Sequence, residues 1–278
     1  MYKSMEFIKI IYLYNKLSKD QDFHFNGQKK DSKNTNALEK PNPNKLFSNR
    51  TFARRIGKRL SDYNKTLLEN LLPVYQYSKD SLPDRLNRKS FLEIGFGMGE
   101  HLSKQAMENP ENLYIGVEAY LNGVANLLKL INNKTNNHWE VEFSKKSSGQ
   151  PSKQPNLLIW PNDLDMILNE MPEQCLDGIY ILFPDPWHKR RYLKKRLVNT
   201  ERLKILKSKL KFGGFIMFAS DIEDYFEDVK KLFTNDQDLV IHNNEFLIPH
   251  EGYCITKYHH KALKENRIPR FIQAFLAR

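Results

Sequence analysis

The chain has 278 residues, with 44 Lys and Arg against 33 Asp and Glu and a formal net charge of +11. This charge favours polyanionic partners, although a composition rich in Asn and Lys can also produce it. No apolar run reaches the roughly 20 residues that span a bilayer, and the short run from Phe7 to Leu13 lacks a cleavage site. The two cysteines, Cys175 and Cys254, indicate a reducing compartment and offer neither a disulfide framework nor a metal site. We therefore expect a cytoplasmic protein.

The amino-terminal part of the chain is predicted to be an extension, residues 1–48, followed by a single domain, residues 49–278. From Lys19 to Asn49 the sequence is rich in Lys, Asn, Ser and Pro, without a sustained apolar period. Five basic residues follow, namely Arg50, Arg54, Arg55, Lys58 and Arg59. Because Phe52, Ile56 and Leu60 lie four residues apart, a helix here could dock one apolar stripe and present its cations to an anion. An ordinary solvated helix explains the pattern equally well.

From Ser90 onward, apolar runs alternate with amphipathic segments. The predicted strands are Phe91–Ile94, Leu113–Val117, Leu157–Trp160, Gly178–Phe183 and Phe215–Ala219. The predicted helices are Glu100–Met107, Leu121–Ile131, Asp163–Glu170, Lys194–Leu210 and Asp224–Phe233. This order predicts an α/β domain with a mostly parallel sheet and helices on both faces. The polar stretch 144–155 is expected to be a flexible loop inserted between strands.

A glycine-rich loop, Glu93-Ile94-Gly95-Phe96-Gly97-Met98-Gly99, joins the first predicted strand to a helix. Its glycines allow a tight turn and the close approach of a ligand to the backbone. Position 100 is Glu, where a dinucleotide fingerprint has Gly or Ala. The carboxylate of Glu93 also suits a cationic ligand better than a pyrophosphate. S-adenosylmethionine, with its ammonium and sulfonium groups, therefore fits better than NAD.

Polar side chains also follow the next two strands. Glu118 ends the second strand, where a Rossmann-like fold has the acid that binds ribose hydroxyls. Asn162 and Asp163 follow the third strand, where they could accept from the adenine amino group, although Asp163 could instead be only a helix N-cap. Acids at the ends of three successive strands predict a methyl-donor site. They disfavour a dinucleotide-dependent oxidoreductase and a basic RNA-binding module without catalysis.

The fourth strand ends in Phe183-Pro184-Asp185-Pro186-Trp187. The two prolines stop the strand and fix the backbone on both sides of Asp185. Open α/β sheets bind ligands at the carboxyl ends of their strands, so Asp185 could accept from a base edge while Trp187 stacks on a base. A turn that only closes the strand, with Trp187 in the core, is the alternative.

The glycine loop, Glu118 and the segment Pro184-Asp185-Pro186-Trp187-His188-Lys189 together resemble the bacterial tRNA guanine-N7 methyltransferases over about residues 48–276. Further matches are Arg50-Thr51-Phe52, Lys194-Lys195-Arg196-Leu197-Val198, Ala219-Ser220-Asp221 and Thr256-Lys257-Tyr258. The resemblance implies a Rossmann-like class I methyltransferase fold. It also implies S-adenosylmethionine as the cofactor and methylation of N7 of a guanosine in the variable loop of tRNA.

The resemblance implies a role for each matched residue. Cofactor binding is expected from Glu93, Gly95, Gly97, Gly99, Glu118, Asn162, Asp163 and Asp185, with Asp185 also catalytic. Substrate binding is expected from Lys189, Asp221, Thr256, Lys257, Tyr258 and His259. Clustered positive charge, and not the resemblance, predicts contacts with tRNA phosphates, with a solvated helix as the alternative, for Arg54, Arg55, Lys58, Arg59, Lys189, Arg190, Arg191, Lys194, Lys195 and Arg196. His259 departs from the pattern, because the family usually has glutamate there, and Glu265 is an acidic residue nearby.

The expected chemistry needs no metal and no general base, because guanine N7 is an unprotonated lone pair at neutral pH. Asp185 is therefore interpreted as an orienting and electrostatic residue that accepts from the guanine edge. A class I methyltransferase that acts on another nucleobase is the nearest alternative. Amino-group methyltransferases place two prolines after their Asn or Asp, whereas here the prolines flank Asp185. The sequence leaves open whether the protein is a monomer or a homodimer.

Overall fold

The computed structural model describes residues 59–79, 88–134, 155–246 and 253–277. The predicted extension, residues 1–48, lies outside this part, as do the basic positions Arg54, Arg55 and Lys58 and residues 144–154 of the predicted loop. Within the described part, no helix is both long and apolar enough to cross a membrane.

The described residues form an α/β structure around one sheet. Its helices are α1 (Asp62–Asn70), α2 (Leu72–Tyr75), α3 (Glu100–Glu108), α4 (Leu121–Lys134), α5 (Leu164–Glu170), α6 (Thr200–Lys209), α7 (Glu223–Thr234) and α8 (Lys257–Lys264). Its strands are β1 (Ser90–Ile94), β2 (Leu113–Val117), β3 (Leu157–Trp160), β4 (Leu176–Leu182), β5 (Leu210–Ser220), β6 (Leu239–Phe246) and β7 (Arg270–Leu276). A 3₁₀ helix covers Arg190–Lys195.

The strand order is β3-β2-β1-β4-β5-β7-β6. The first five strands in this order are parallel, and β7 is antiparallel to both β5 and β6. The predicted fold class and all five predicted strands are therefore confirmed, with shifts of at most two residues at their ends except in β5, which begins five residues earlier than predicted. Because the five strands are parallel, the loops that follow them lie at one edge of the sheet.

Alternation along the strands distributes the core over both faces of the sheet. In β1, Leu92 and Ile94 pack in a cluster with residues of α5, α6 and α7. The residues Tyr114 of β2 and Ile159 of β3 belong to a second cluster with residues of α1, α3 and α4. Each fully buried Leu or Ile stabilises the fold by about 2 kcal/mol relative to its exposed state. The predicted helices on both faces are therefore confirmed.

The predicted helix Lys194–Leu210 is wrong as one continuous helix. A 3₁₀ helix ends at Lys195, and α6 begins only after Asn199. The Asn199 side chain accepts from the backbone N–H of Arg202 at 2.9 Å, which makes it an N-cap. The cap separates the basic segment from α6 and leaves that segment beside β4.

Candidate functional site

The glycine loop is packed tightly between β1 and two helices. Gly99 has φ +81°, and a Cβ there would lie 2.8 Å from the Cβ of Leu127 in α4. A Cβ on Gly123, also in α4, would lie 2.0 Å from the carbonyl oxygen of Gly97. Only glycine fits both positions. The loop therefore owes its position to α4 as well as to its own sequence.

Glu118, which directly follows β2, forms hydrogen bonds with the backbone of the same loop. One carboxylate oxygen accepts from the N–H of Gly97 at 2.8 Å, and the other accepts from the N–H of Tyr120 at 2.8 Å. Burial raises the pKa of Glu118, as does the charge of Asp185, while the backbone donors lower it. An ionised carboxylate offers about four acceptor sites, so the backbone donors of Gly97, Ala119 and Tyr120 do not saturate it.

Glu93 lies behind the loop, not at its surface. Its carboxylate is 2.8 Å from Nδ1 of His101 in α3, and both side chains are buried. The rings of Tyr180 and Tyr253 lie 5.0 and 5.5 Å from the His101 ring, centroid to centroid. Nε2 of His101 is a buried nitrogen without a hydrogen-bond partner among the described residues. A direct role of Glu93 in cofactor binding stays a prediction.

The residues that follow β3 form a helix cap. The Asp163 side chain accepts from the N–H of Asp165 at 2.9 Å and begins α5. The Asn162 side-chain oxygen accepts from the N–H of Asp163 at 2.9 Å. Asp163 is thus an N-cap, and binding of adenine by this pair stays a prediction.

Asp185 lies in a strained turn at the carboxyl end of β4. Phe183 and Trp187, which flank the Pro184–Pro186 turn, have φ values of +53° and +48°. A bulky side chain in this left-handed region costs about 1–2 kcal/mol, so the surrounding packing must impose the conformation. Asp185 itself is exposed, and its charge raises the pKa of both Glu118 and Tyr258. Asp185 therefore lies close enough to Glu118 and Tyr258 for its charge to act on both, at the sheet edge that the strand order predicts.

The segment that contains Thr256 faces the glycine loop. The Thr256 hydroxyl accepts from the N–H of His259 at 3.2 Å and caps α8. Tyr258, in the first turn of α8, lies over the loop, with a ring carbon 3.3 Å from where a Cβ of Gly97 would be. Burial raises the pKa of Tyr258, and the charges of Asp185 and Glu118 raise it further. Elements distant in sequence thus bring Gly97, Glu118, Asp185 and Tyr258 together.

His259 is buried, in contrast to its neighbour Tyr258. Its Nδ1 lies 3.3 Å from the hydroxyl of Tyr253, and its ring centroid is 5.6 Å from that of Phe183. Burial lowers the pKa of His259 to about 4, so the ring is neutral at pH 7. At 4% exposure, His259 can act on a nucleotide only through the residues that it supports.

Arg267 contacts both Asp221, which was predicted to bind substrate, and Glu265, the acidic residue near His259 in the sequence. Arg267 Nε donates to Asp221 at 2.5 Å, and the same guanidinium donates to Glu265. Asp221 follows β5, whereas Glu265 follows α8. Asp221 therefore lies at the same edge of the sheet as Asp185, after a parallel strand. Glu265 forms an ion pair at the end of α8 and does not take the place of the glutamate that the family usually has at position 259.

The basic segment after Asp185 forms an exposed face. Lys189, Arg190, Arg191 and Lys194 are all exposed. The ammonium of Lys195 lies 4.8 Å from the centroid of the Trp187 ring, so Trp187 packs at this face and not in the core. We call the four exposed residues with Lys195 the basic face. Arg196 does not belong to it, because it is only 5% exposed.

No sequence motif predicted several residues that hold the side chains of this site in place. His101 lies eight residues after Glu93, and Tyr253 and Arg267 lie far along the chain from the motifs that they support. Cys175 and Cys254 are both buried thiols. Among the described residues, no group of three or more His, Cys, Asp or Glu side chains is arranged to hold a metal ion.

Comparisons with known proteins agree with this geometry. A family model described as "Putative methyltransferase" (Methyltransf_4) matches residues 87–269. A Rickettsia felis protein named "Bifunctional methyltransferase" is 53% identical over 232 residues, which cover 82% of this chain and 40% of that protein. This chain therefore spans about two fifths of the length of that relative.

Other relatives are covered over most of their length. The "tRNA (guanine-N(7)-)-methyltransferase" of Wolbachia pipientis wMel is 35% identical over 74% of this chain and 85% of its own. A protein with the same name from Hyphomonas neptunium is 34% identical over 77% of this chain and 94% of its own. The solved "Structure of an antibiotic related Methyltransferase" covers 72% of this chain and 96% of its own, with a TM-score of 0.50 and 16% identity. That likeness supports the fold alone.

Proposed function

Because the chain belongs to the tRNA (guanine-N(7)-)-methyltransferase family, we propose that it methylates N7 of a guanosine in the variable loop of tRNA, with S-adenosylmethionine as the donor. One observation carries the proposal. The exposed carboxylate of Asp185 lies beside the glycine loop, Glu118 and Tyr258, and the basic face begins four residues later. A reaction centre and a phosphate-binding surface are thus adjacent.

The residues at the sheet edge fit S-adenosylmethionine. Burial and the charge of Asp185 raise the pKa of Glu118, so a cationic ligand nearby would stabilise the ionised form of Glu118. Glu118 has acceptor sites left for ribose hydroxyls. A Cβ on Gly95 would meet nothing within 4 Å, so the loop backbone is open to close approach at that position. We assign ribose binding to Glu118 and adenine binding to Asn162 and Asp163. When bound, S-adenosylmethionine supplies an electrophilic methyl group on its sulfonium.

Asp185 holds the guanine in this proposal. The N7 lone pair needs no deprotonation, so the work of the protein is alignment and charge stabilisation. The Asp185 carboxylate accepts from the donor edge of guanine and stabilises the positive charge that methylation leaves on the purine. Tyr258, which is half exposed, lies over Gly97 of the glycine loop.

The basic face binds the tRNA backbone. Arg190, Arg191 and Lys194 are exposed along the 3₁₀ helix Arg190–Lys195, and Lys189 directly precedes that helix. Phosphate binding by such residues positions an RNA without reading its sequence. The base-selective contacts then come from Asp185 and the Thr256 segment, which lie beside this face.

The test uses the full chain, labelled S-adenosylmethionine and unmodified tRNA, followed by cleavage chemistry specific for N7-methylguanosine. Asp185→Asn keeps the size of the side chain and removes its charge, so we expect kcat to fall about 100-fold with the affinity for S-adenosylmethionine within about twofold. Glu173→Gln, which changes an exposed acid before β4 at the opposite edge of the sheet, is the control and should leave kcat unchanged. Full activity of Asp185→Asn would contradict the assigned role. Methylation of another base atom by the unmodified chain would indicate the alternative methyltransferase.

A further inference from the structure

Arg196 connects the strained turn to α7. Its Nε donates to the carbonyl oxygen of Pro186 at 3.0 Å. Its two terminal nitrogens lie 2.5 Å from carboxylate oxygens of Asp224 and Asp228, one turn apart on α7. The guanidinium carbon also lies 4.6 Å from the centroid of the Tyr225 ring. One side chain therefore contacts the residue that follows Asp185 and three residues of a single helix.

These contacts differ from those of a phosphate-binding arginine. Arg196 is 5% exposed, and two carboxylates already balance its charge. The side chains of Asp224 and Asp228 are 61% and 66% exposed, so water reaches the outer side of the ion pairs but not the guanidinium. A tRNA phosphate would have to displace an aspartate to reach it.

The helix at the other end of the connection is rigid. Tyr225, Phe226, Val229 and Phe233 of α7 are buried against the sheet. The Tyr225 hydroxyl accepts from the N–H of Val198 at 3.1 Å, which fixes the chain two residues after Arg196. The guanidinium is planar and presents its donors in a fixed fork, so it can hold the carbonyl and both carboxylates at once.

We infer that Arg196 is a positioning residue for methyl transfer, which holds the Pro186 carbonyl and thereby fixes the carboxylate of Asp185 against the guanine. The inference rests on the proposed function. A lysine at this position has a single nitrogen and cannot reach the carbonyl and both carboxylates in the same geometry. A shift of Asp185 by about 1 Å is enough to lower the rate of an aligned transfer by about 100-fold.

The experiment compares Arg196→Lys with the unmodified full chain in steady-state methyl transfer to tRNA, together with S-adenosylmethionine binding and thermal unfolding. We expect kcat to fall at least about tenfold, with KM for tRNA and the affinity for S-adenosylmethionine within about twofold. The double variant Asp224→Asn and Asp228→Asn keeps Arg196 but removes the negative charge of both of its exposed ion-pair partners. This variant should fold normally and lower kcat by a smaller factor, about threefold.

The control is Lys207→Gln. Lys207 also joins two aspartates, Asp236 and Asp238, at 2.7 Å each, but it lies before β5, at the other edge of the sheet. It should lower the unfolding temperature without a change in kcat.

Unchanged kcat in Arg196→Lys with a raised KM for tRNA would overturn the inference in favour of a phosphate contact. Unchanged kcat with only a lower unfolding temperature would overturn it in favour of a structural role. Absence of methyl transfer in the unmodified chain would instead overturn the proposed function.

Discussion

The position of Asp185 depends on side chains outside its own motif. Phe183, on one side of it, packs against the ring of His259 from α8. Pro186, on the other side, receives the hydrogen bond of Arg196. The prolines restrict the backbone, but they do not by themselves explain two bulky residues with positive φ. Contacts from α7 and α8 therefore stabilise the backbone conformation around Asp185, in addition to the prolines.

His259 gives the protein a predictable response to acid. Its pKa is lowered to about 4 in the folded state, against a usual value near 6.5. Between these values the unfolded chain binds a proton that the folded chain does not, so stability falls as the pH falls. For the pKa shift cited, the loss between pH 7 and pH 5 is about 2 kcal/mol.

The comparison is between the unmodified chain and His259→Phe, which keeps a ring among Phe183, Tyr253 and Phe271. Urea unfolding at pH 7 and pH 5 should show a smaller acid-induced loss in the variant. His260→Gln, a less buried histidine on the same helix, serves as the control and should change the pH response less. An identical loss in His259→Phe and the unmodified chain would contradict the buried neutral histidine.

At the scale of elements, the glycine loop and α4 are packed directly against each other. Gly123→Ala would improve the helix propensity of α4 by about 1 kcal/mol if space allowed. A Cβ there, however, would lie 2.0 Å from the carbonyl oxygen of Gly97, so the loop must move. We expect a loss of stability of about 1–3 kcal/mol and an affinity for S-adenosylmethionine lowered about tenfold. Isothermal titration and urea unfolding measure both, with Lys129→Ala, exposed on the same helix, as the control.

The basic face should carry the salt dependence of tRNA binding. Arg190 and Arg191 are exposed at the start of the 3₁₀ helix. Replacing both with alanine should raise the dissociation constant for tRNA and reduce the slope of log K against log salt by about 1–2. Filter binding over a range of potassium chloride concentrations measures the slope. Lys204→Ala with Lys231→Ala, on exposed positions of α6 and α7, matches the loss of charge, and an equal change of slope in that pair would contradict a localised face.

The sequence predicted the parallel part of the fold because its strands are short apolar runs, each followed by a helix. It missed β6 and β7, which pair antiparallel at the other edge. It also missed the break at Asn199, since a cap inside an amphipathic stretch does not interrupt the apolar period. The site residues at strand ends were predictable for the same reason as the strands. The ion pairs of Arg196 with Asp224 and Asp228 and of Arg267 with Asp221 were not, because these partners lie 28, 32 and 46 residues away along the chain.

For the whole molecule, the described core is built from residues that follow the amino-terminal segment, residues 1–48. Both faces of the sheet are covered by helices that lie between Asp62 and Lys264. The family match also begins after that segment, at residue 87. Residues 1–48 are therefore predicted to be dispensable for folding and for cofactor binding.

Deletion of residues 1–48 tests this prediction. The free energy of unfolding and the affinity for S-adenosylmethionine should stay the same within error, because the described core clusters and the glycine loop lie after the predicted boundary at residue 49. A longer deletion, of residues 1–59, also removes the cluster Arg50, Arg54, Arg55, Lys58 and Arg59. If that cluster binds phosphate, the longer deletion lowers tRNA affinity and the salt slope while cofactor affinity is retained. Equal tRNA affinity in the two deletions would instead assign the cluster to a solvated helix, and lower stability of the shorter deletion would contradict the predicted domain boundary.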